Sequence, residues 1–315
     1  MNTAEELLNI LLSPATRSQT FTSMAQWFHV FNQQVRRFEL SLDRALLGGR
    51  LSENLSYAFA AGYQSAIEAL FQPQALELSS FCVSESKGNH PRAIEARLTV
   101  EDGQLHLSGH KSFVSGAGDA QRLYIACLDQ RIGHGLDAEG RPIIKVVSLA
   151  ADQPGVEIES LPPLGFVPEV AHGKVRLNNV LLEPEALLPG DGYLNYVKAF
   201  RTYEDVHVLA AVTAYRLGEA IKARWPDQLV QSHLPIILGL RSLTQMDLQQ
   251  PSAHIALAAV RSQLESLIQQ TDSYFLKGNP EAFAAWQRDK VLLNVASKAH
   301  QKRTETAWKA FIGKD

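Results

Sequence analysis

The hydrophobic pattern of this 315-residue chain changes period twice, and this change limits the possible folds more than any other feature. Apolar residues recur at helical spacing over the first 75 residues or so, then at a spacing of two from about residue 78 to residue 188. Helical spacing returns from about residue 193 to the end. We therefore predict an α+β chain with an N-terminal helical domain at 1–77, a β domain at 78–190 and a C-terminal helical domain at 191–315.

Turn and breaker residues divide these regions into elements. The first region predicts three helices, with Gly48 and Gly49 separating the second from the third. Six or seven short strands in the middle region predict a small antiparallel barrel or sandwich. The last region predicts helices over residues 206–221, 234–243 and 255–268, and a long final helix over about 283–307.

Residues 81–118 are the most informative stretch of the β region. Alternation over residues 93–100 resumes at Leu105 after a turn at Asp102-Gly103, and this predicts a β-hairpin because Asp-Gly readily adopts positive φ angles. Two segments rich in hydroxyl, Gly and aromatic residues flank the hairpin: FCVSESKGNH at 81–90 and GHKSFVSG at 109–116. A single sheet can present both segments to one planar ligand.

Composition argues against several classes of function. A net charge of −3 gives no basic excess, so we expect no nucleic-acid partner. Two cysteines fit neither a disulfide framework nor a zinc pattern, which favours a reducing, cytoplasmic location. The ten histidines form no metal-binding pattern, and no apolar run approaches the roughly 20 residues that a membrane span needs.

The order of elements and three segments resemble the acyl-CoA dehydrogenase family. Residues 84–90 (SESKGNH) resemble the family's Thr-Glu-Pro-x-x-Gly-Ser-Asp segment with one residue deleted. Residues 109–116 resemble its Gly-x-Lys-x-aromatic-Ile-Thr-Asn segment. The pairs Gly155-Val156 and Leu164-Gly165, and VLLEP at 180–184, are similar to the family's later β segments. The resemblance covers about residues 55–312 and implies an acyl-CoA dehydrogenase-like fold with an FAD cofactor.

The resemblance also implies which residues contact the flavin. A ring that accepts hydride needs hydrogen bonds at its edge, an apolar face and little water. Ser84 and Ser115 stand where the family places hydroxyl groups that bond the ring, and Phe113 stands where it packs an aromatic side chain. Backbone groups of Val83 and Val114 would add to the same edge. Considered one at a time, Ser84 and Ser115 are also typical of turns at strand ends, and Phe113 is also typical of a hydrophobic core.

Other positions resemble the family's substrate and pyrophosphate contacts. Gly88 and Asn89 fall where the family's backbone approaches the substrate thioester, although this sequence is also typical of a solvated loop. Arg241, followed by glutamines, loosely resembles the family's contact with the FAD pyrophosphate of a neighbouring subunit. Arg224 is a competing candidate for that contact.

Glu204 is the candidate catalytic base. Abstraction of a thioester α-proton needs a carboxylate whose pKa is raised by burial. Some family members carry this Glu at the start of the first C-terminal helix, and Glu204 stands there. Acidic residues in a first helical turn are also stabilised by the helix dipole, by about 0.3–1 kcal/mol, without any catalytic role.

The resemblance thus predicts an FAD-dependent oxidoreductase that carries out α,β-dehydrogenation of an acyl thioester or a related substrate. Glu204 would remove the α-proton, the flavin would accept hydride from the β-carbon, and an electron-transfer partner would reoxidise the flavin. The family implies a homo-oligomer, either a dimer or a tetramer. One alternative is a degenerate, non-catalytic member that acts as a binding or heteromeric partner subunit, and another is a flavin oxidase or monooxygenase on the same fold.

Overall fold

The computed structural model describes residues 4–14, 20–131 and 133–312. Four helices come first: α1 (Ala4–Leu12), α2 (Met24–Val35), α3 (Ser41–Leu51) and α4 (Leu55–Phe71). Seven strands follow: β1 (Ser79–Cys82), β2 (Arg97–Glu101), β3 (Gln104–Ser115), β4 (Arg122–Asp129), β5 (Ile144–Ala150), β6 (Val156–Ser160) and β7 (His172–Leu182). A π-helix at Tyr193–Lys198 then leads into α5 (Ala199–Lys222), α6 (Asp227–Gln231), α7 (Leu234–Leu243), α8 (Pro251–Gly278), α9 (Pro280–Asp289) and α10 (Ser297–Ile312).

The strands form one open, mixed sheet. Its order is β1-β4-β2-β3-β7-β6, with β5 also paired to β4. Both β1 and β2 run parallel to β4, whereas the remaining pairs are antiparallel. The α+β prediction is confirmed, but the sheet is neither wholly antiparallel nor closed into a barrel. A period of two is common to parallel and antiparallel strands, so the sequence pattern could not distinguish them.

The predicted hairpin is present as β2 and β3. Glu101 pairs with Gln104, and the turn places Asp102 at φ 51° and Gly103 at φ 79°. Positive φ at both central residues is the geometry that Asp-Gly was expected to adopt. The first strand begins later than its alternation suggested, because Pro91–Ala93 forms a 3-10 turn.

Two helix predictions need correction. The N-terminal region has four described helices rather than three, and Gly48 and Gly49 lie inside α3 instead of ending a helix. The predicted final helix is divided by a 3-10 turn at Lys290–Asn294 between α9 and α10. The helices predicted over 206–221, 234–243 and 255–268 correspond to α5, α7 and α8.

Helices from both ends of the chain share one hydrophobic core. Helices α3 and α4 pack directly against α5, and Phe81 and Tyr124 on one face of the sheet join the same core. A second, smaller core on the sheet includes Leu98, Val114 and Val175. Within residues 4–14, 20–131 and 133–312, none of the helices combines the length and apolar character needed to cross a membrane.

Candidate active site

A cavity of about 220 Å³ lies between the sheet and the helices. The sheet contributes Phe113, Ser115 and His172, and the facing helices contribute apolar side chains and two carboxylates. The helical wall includes Phe59 from α4 and Glu204, Asp205, Val208 and Leu209 from α5. Three residues predicted from sequence, Phe113, Ser115 and Glu204, therefore line one cavity.

A β-bulge directs Phe113 into this cavity. Lys111 pairs with Val175 and Val114 pairs with Gly173, so two residues of β3 lie opposite one residue of β7. Phe113 is the second of these two residues, with φ at 60°, and it is 51% exposed. A half-exposed aromatic ring on a left-handed backbone is unusual for a core residue. The core alternative considered for Phe113 is thus wrong, and the ring is available to a ligand.

Ser115 of β3 and His172 of β7 pair with each other at the end of the antiparallel β3–β7 ladder. Ser115 Oγ lies 3.2 Å from His172 Nε2, and His172 Nδ1 lies 2.8 Å from the carbonyl oxygen of Val170. Burial lowers the pKa of His172, which favours the neutral ring. The rings of His172 and Phe113 are 5.0 Å apart between centroids. His172 therefore contacts both side chains of β3 that line the cavity.

The two sequence segments that flank the hairpin lie side by side. The Ser112 amide donates to the Ser84 carbonyl over 2.8 Å, and Ser80 Oγ donates to the Ser115 carbonyl over 2.7 Å. Val83 and Ser84 do not line the cavity described above. The Val114 side chain is buried in the second core.

A buried ion pair fixes the backbone where these segments meet. Lys111 Nζ lies 2.6 Å from Glu85 Oε1, and the side chains are 0% and 6% exposed. Glu85 also accepts hydrogen bonds from the amides of Glu95 and Ala96, at 2.8 and 3.1 Å. These contacts hold the start of β2 against the segment after β1.

Glu204 lines the cavity from the second turn of α5. The pKa of Glu204 is raised to about 8, mainly by burial and to a smaller extent by the negative charge of the neighbouring Asp205. The positive charges of Arg201 and Arg303 act in the opposite direction. Its side chain is half-buried, so this carboxyl can still reach a ligand. A carboxyl that titrates near neutral pH suits acid–base chemistry.

Helix α10 closes the same end of the cavity through a polar cluster. Arg303 pairs with Asp205 and donates to Thr202 Oγ1 over 3.1 Å. His300 Nδ1 lies 3.1 Å from the Asp205 carboxylate. Asp205 is thereby held by α10, whereas Glu204 beside it has no such ion pair among the described residues.

The loop before β7 forms another wall and is anchored to α9. Leu164, Phe166 and Val167 line the cavity, and the Val167 amide donates to the buried Asp289 carboxylate over 2.8 Å. Val167 has φ at 42°, a strained value for a β-branched residue. The anchored loop keeps apolar side chains over the cavity.

Three other predicted residues lie elsewhere. Gly88 and Asn89 are exposed in the loop after β1 and do not line the cavity. Arg241 on α7 makes two bonds to the buried Asp43 of α3, at 3.0 and 3.2 Å. Within the described residues no group of three or more His, Cys, Asp or Glu side chains could hold a metal ion.

Some residues that line the cavity could not be recognised from the sequence. His172 is a single histidine at a strand end, and its only signal was the alternating segment that begins at Gly173. Phe59 and Val208 belong to ordinary helical stripes. Their roles depend on contacts between distant elements, which no local motif records.

Comparisons with known proteins identify the fold. No family model matches the sequence, and no curated protein matches it either. An FAD-dependent dehydrogenase is similar with a TM-score of 0.69 at 12% identity, covering 96% of this chain and 97% of that chain. Butyryl-CoA dehydrogenase from Megasphaera elsdenii is similar with a TM-score of 0.65 at 12% identity, covering 98% and 90%. FkbI, for biosynthesis of a methoxymalonyl extender unit, is similar with a TM-score of 0.64 at 15% identity, covering 97% and 98%. The chain has the acyl-CoA dehydrogenase-like fold that its sequence predicted.

Proposed function

We propose that this protein is an FAD-dependent oxidoreductase that carries out α,β-dehydrogenation of an acyl thioester or a related carbonyl-activated substrate. The observation that carries the proposal is the cavity that brings Phe113, Ser115 and Glu204 together. The similar structures include an FAD-dependent dehydrogenase and a butyryl-CoA dehydrogenase, which supports this chemistry.

The residues around the cavity fit a flavin ring. Phe113 offers an exposed aromatic face, and Ser115 offers a polar group for the ring edge. Phe59 and Val208 supply apolar surface on the opposite wall and exclude water. When bound, FAD would supply the acceptor for hydride that leaves the substrate β-carbon.

Glu204 is proposed as the group that removes the substrate α-proton. A carboxyl acts as a base only when ionised, and a pKa of about 8 places that ionisation close to neutral pH. Asp205 is a weaker candidate because its carboxylate is engaged by Arg303 and His300. We therefore expect the rate of substrate-dependent flavin bleaching to rise with pH, to reach half of its maximum near pH 8 and to level off above it.

A second cavity of about 340 Å³ adjoins the first and is proposed as the way in for the substrate. The two share Asp205, Leu209, Arg261 and His300, and the second continues between α8 and α10. This neighbouring space allows a substrate to approach while its reacting end lies near Glu204.

Absorbance of the purified protein tests the function. We expect a yellow protein, or a colourless one whose melting temperature rises with added FAD. Glu204→Gln should retain the colour and lose bleaching by acyl-CoA, whereas Glu101→Gln, an exposed carboxyl on the hairpin, should behave like the wild type. Full bleaching by the Glu204→Gln variant would remove Glu204 from the mechanism, and absence of any FAD binding would reject the flavoenzyme.

Assembly and electron transfer are further parts of this proposal. Trp308, Phe311 and Ile312 on α10 are exposed and apolar, which supports a homo-oligomer formed through the C-terminal helices. Light scattering should give the mass of a dimer or tetramer. An electron-transfer partner is expected to reoxidise the flavin, and rapid oxygen consumption by the reduced protein would instead favour an oxidase.

A non-catalytic partner subunit is the second candidate function. Two observations favour it: Asp43 already engages Arg241, and the loop with Gly88 and Asn89 is exposed away from the cavity. A folded protein that stays colourless with FAD would support this candidate over the enzyme.

A further inference from the structure

The hydrogen-bonding direction between Ser115 and His172 follows from the contacts of the histidine ring. A backbone carbonyl can only accept a hydrogen bond, so His172 Nδ1, 2.8 Å from the Val170 oxygen, must carry a proton. In the neutral ring, Nε2 then has a lone pair and accepts. The Ser115 hydroxyl, 3.2 Å away, therefore donates its single proton to Nε2.

This arrangement leaves only lone pairs of Ser115 Oγ for a ligand in the cavity. A serine hydroxyl has one proton and two acceptor positions, and His172 uses the proton. His172 is only 5% exposed, and its place opposite Ser115 in the β3–β7 ladder fixes both backbones. The neighbouring Phe113 ring restricts rotation of the imidazole.

We propose that His172 is a positioning residue that makes Ser115 a hydrogen-bond acceptor for an N–H group of the bound ligand. The assignment of that ligand to a flavin rests on the proposed function. Reduction of a flavin adds a ring N–H at N5, which the oxidised ring lacks. An acceptor at Ser115 thus favours the reduced flavin over the oxidised flavin.

The first test needs no cofactor. Long-range ¹H–¹⁵N correlation spectra of the protein without FAD should show the Nδ1–H tautomer for His172 at pH 7, with its signals identified by their loss in His172→Phe. Ser115→Ala should move the Nε2 resonance and leave the Nδ1–H resonance in place. An Nε2–H tautomer or a doubly protonated ring at pH 7 would overturn the inference.

The second test is a double-mutant cycle on FAD binding and reduction potential. Removal of one hydrogen bond should weaken binding of reduced FAD relative to oxidised FAD about tenfold, equivalent to a fall of ~30 mV in midpoint potential. We expect this change in His172→Phe and in Ser115→Ala, with no further change in the double variant. His172→Gln keeps an acceptor and should restore most of the potential, and His110→Phe, at an exposed position on β3, is the matched control.

The outcomes separate this inference from the proposed function. If the wild-type protein binds FAD but the two substitutions act additively or have no effect, the positioning role of His172 is overturned and the proposed function stands. Wild-type protein that does not bind FAD would reject the flavoenzyme, and with it the flavin assignment here. Circular dichroism establishes that each variant is folded, and His172→Leu, which also lacks an acceptor, serves in place of His172→Phe if the latter does not fold.

Discussion

Glu204 links the stability of the protein to pH. Its pKa is about 8 in the folded protein against an ordinary value of 4.5, so the folded state binds more protons between these limits. Its contribution to stability is complete below about pH 4.5 and is lost as the pH rises through 8. Each unit of difference in pKa between the folded and unfolded states corresponds to about 1.4 kcal/mol of stability. Because the Glu204 side chain is partly exposed to solvent, its contribution is smaller than the pKa difference multiplied by this value.

Chemical unfolding of wild type and Glu204→Gln between pH 5 and 8.5 checks this coupling. We expect the wild type to lose stability relative to the variant as the pH rises, because Gln cannot ionise. A constant difference in the free energy of unfolding across this range would show that Glu204 has an ordinary pKa.

The pair of Lys111 and Glu85 gives a second prediction for single residues. Lys111→Met leaves a buried carboxylate without its cation and should destabilise the protein by about 3–5 kcal/mol. Lys111→Met combined with Glu85→Gln should cost less, because Gln can still accept a backbone hydrogen bond and carries no charge. Urea unfolding measures both, with Lys87→Met in the exposed Lys87–Glu95 pair as a control that should leave stability unchanged. Equal losses for the single and double variants would contradict the argument.

Sequence alone could locate residues that belong to local motifs. Phe113 and Ser115 lie in one short segment, and Glu204 lies near the start of a helix, so the sequence could propose each of the three residues that line the cavity. His172 was not, because its significance comes from its register against Ser115 in another strand. Arg241 had the charge expected of a phosphate contact, but its nearest partner, Asp43, depends on the packing of α3 against α7.

Close packing of α3 and α4 on α5 depends on two glycines. A Cβ at Gly49 would lie 2.0 Å from the Ala211 carbonyl oxygen, and one at Gly62 would lie 2.6 Å from Val208 Cα. These contacts involve backbone atoms, so a side-chain rotation cannot relieve them. Gly49→Ala and Gly62→Ala should each destabilise the protein by about 1–3 kcal/mol or more, despite a gain of up to about 1 kcal/mol in helix propensity.

Gly239→Ala in α7 is the matched control. Its Cβ would meet only one described side chain, Val260, at 3.2 Å, and a shift of a few tenths of an ångström accommodates it. The midpoint of thermal unfolding should therefore fall for the first two variants and stay constant or rise for Gly239→Ala. Unchanged midpoints for Gly49→Ala and Gly62→Ala would show that the helices can separate without cost.

Gly49 and its neighbour Gly48 explain where the helix prediction was wrong. Gly48 and Gly49 are poor helix formers by intrinsic propensity, so they suggested a break between helices. In α3 this cost is offset by close packing, of Gly48 against Phe31 and Ala61 and of Gly49 against Ala211 of α5, which a larger residue would prevent. The helices with strong apolar stripes and no such pair, α5, α7 and α8, were predictable from spacing alone.

At the scale of the whole molecule, the two helical regions form one packing unit although the sheet separates them in sequence. Helices α3 and α4 contribute Leu46 and Ala61 to the core that α5 supplies with Ala211. The change of hydrophobic period predicted three regions in the right order. It could not show that the first and third share a core, because periodicity records which face of an element is buried and not what covers it.

This shared core predicts that the proposed 1–77 domain is not an independent unit. Deletion of residues 1–77 would expose the apolar face of α5, including Val208, Ala211 and Val212, to water. The fragment 78–315 should therefore aggregate or lose its cooperative thermal transition. Deletion of residues 1–14 alone should remove the smaller contact of α1 with α3 and α5 and the hydrogen bonds that Arg50 donates to the Leu11 and Ser13 carbonyls, and should lower the midpoint while the transition stays cooperative. Differential scanning calorimetry and light scattering of the two fragments check this expectation. A soluble 78–315 fragment with a sharp transition would show instead that the sheet and C-terminal helices fold without the N-terminal helices, and Glu204 would then titrate in an exposed site with an ordinary pKa.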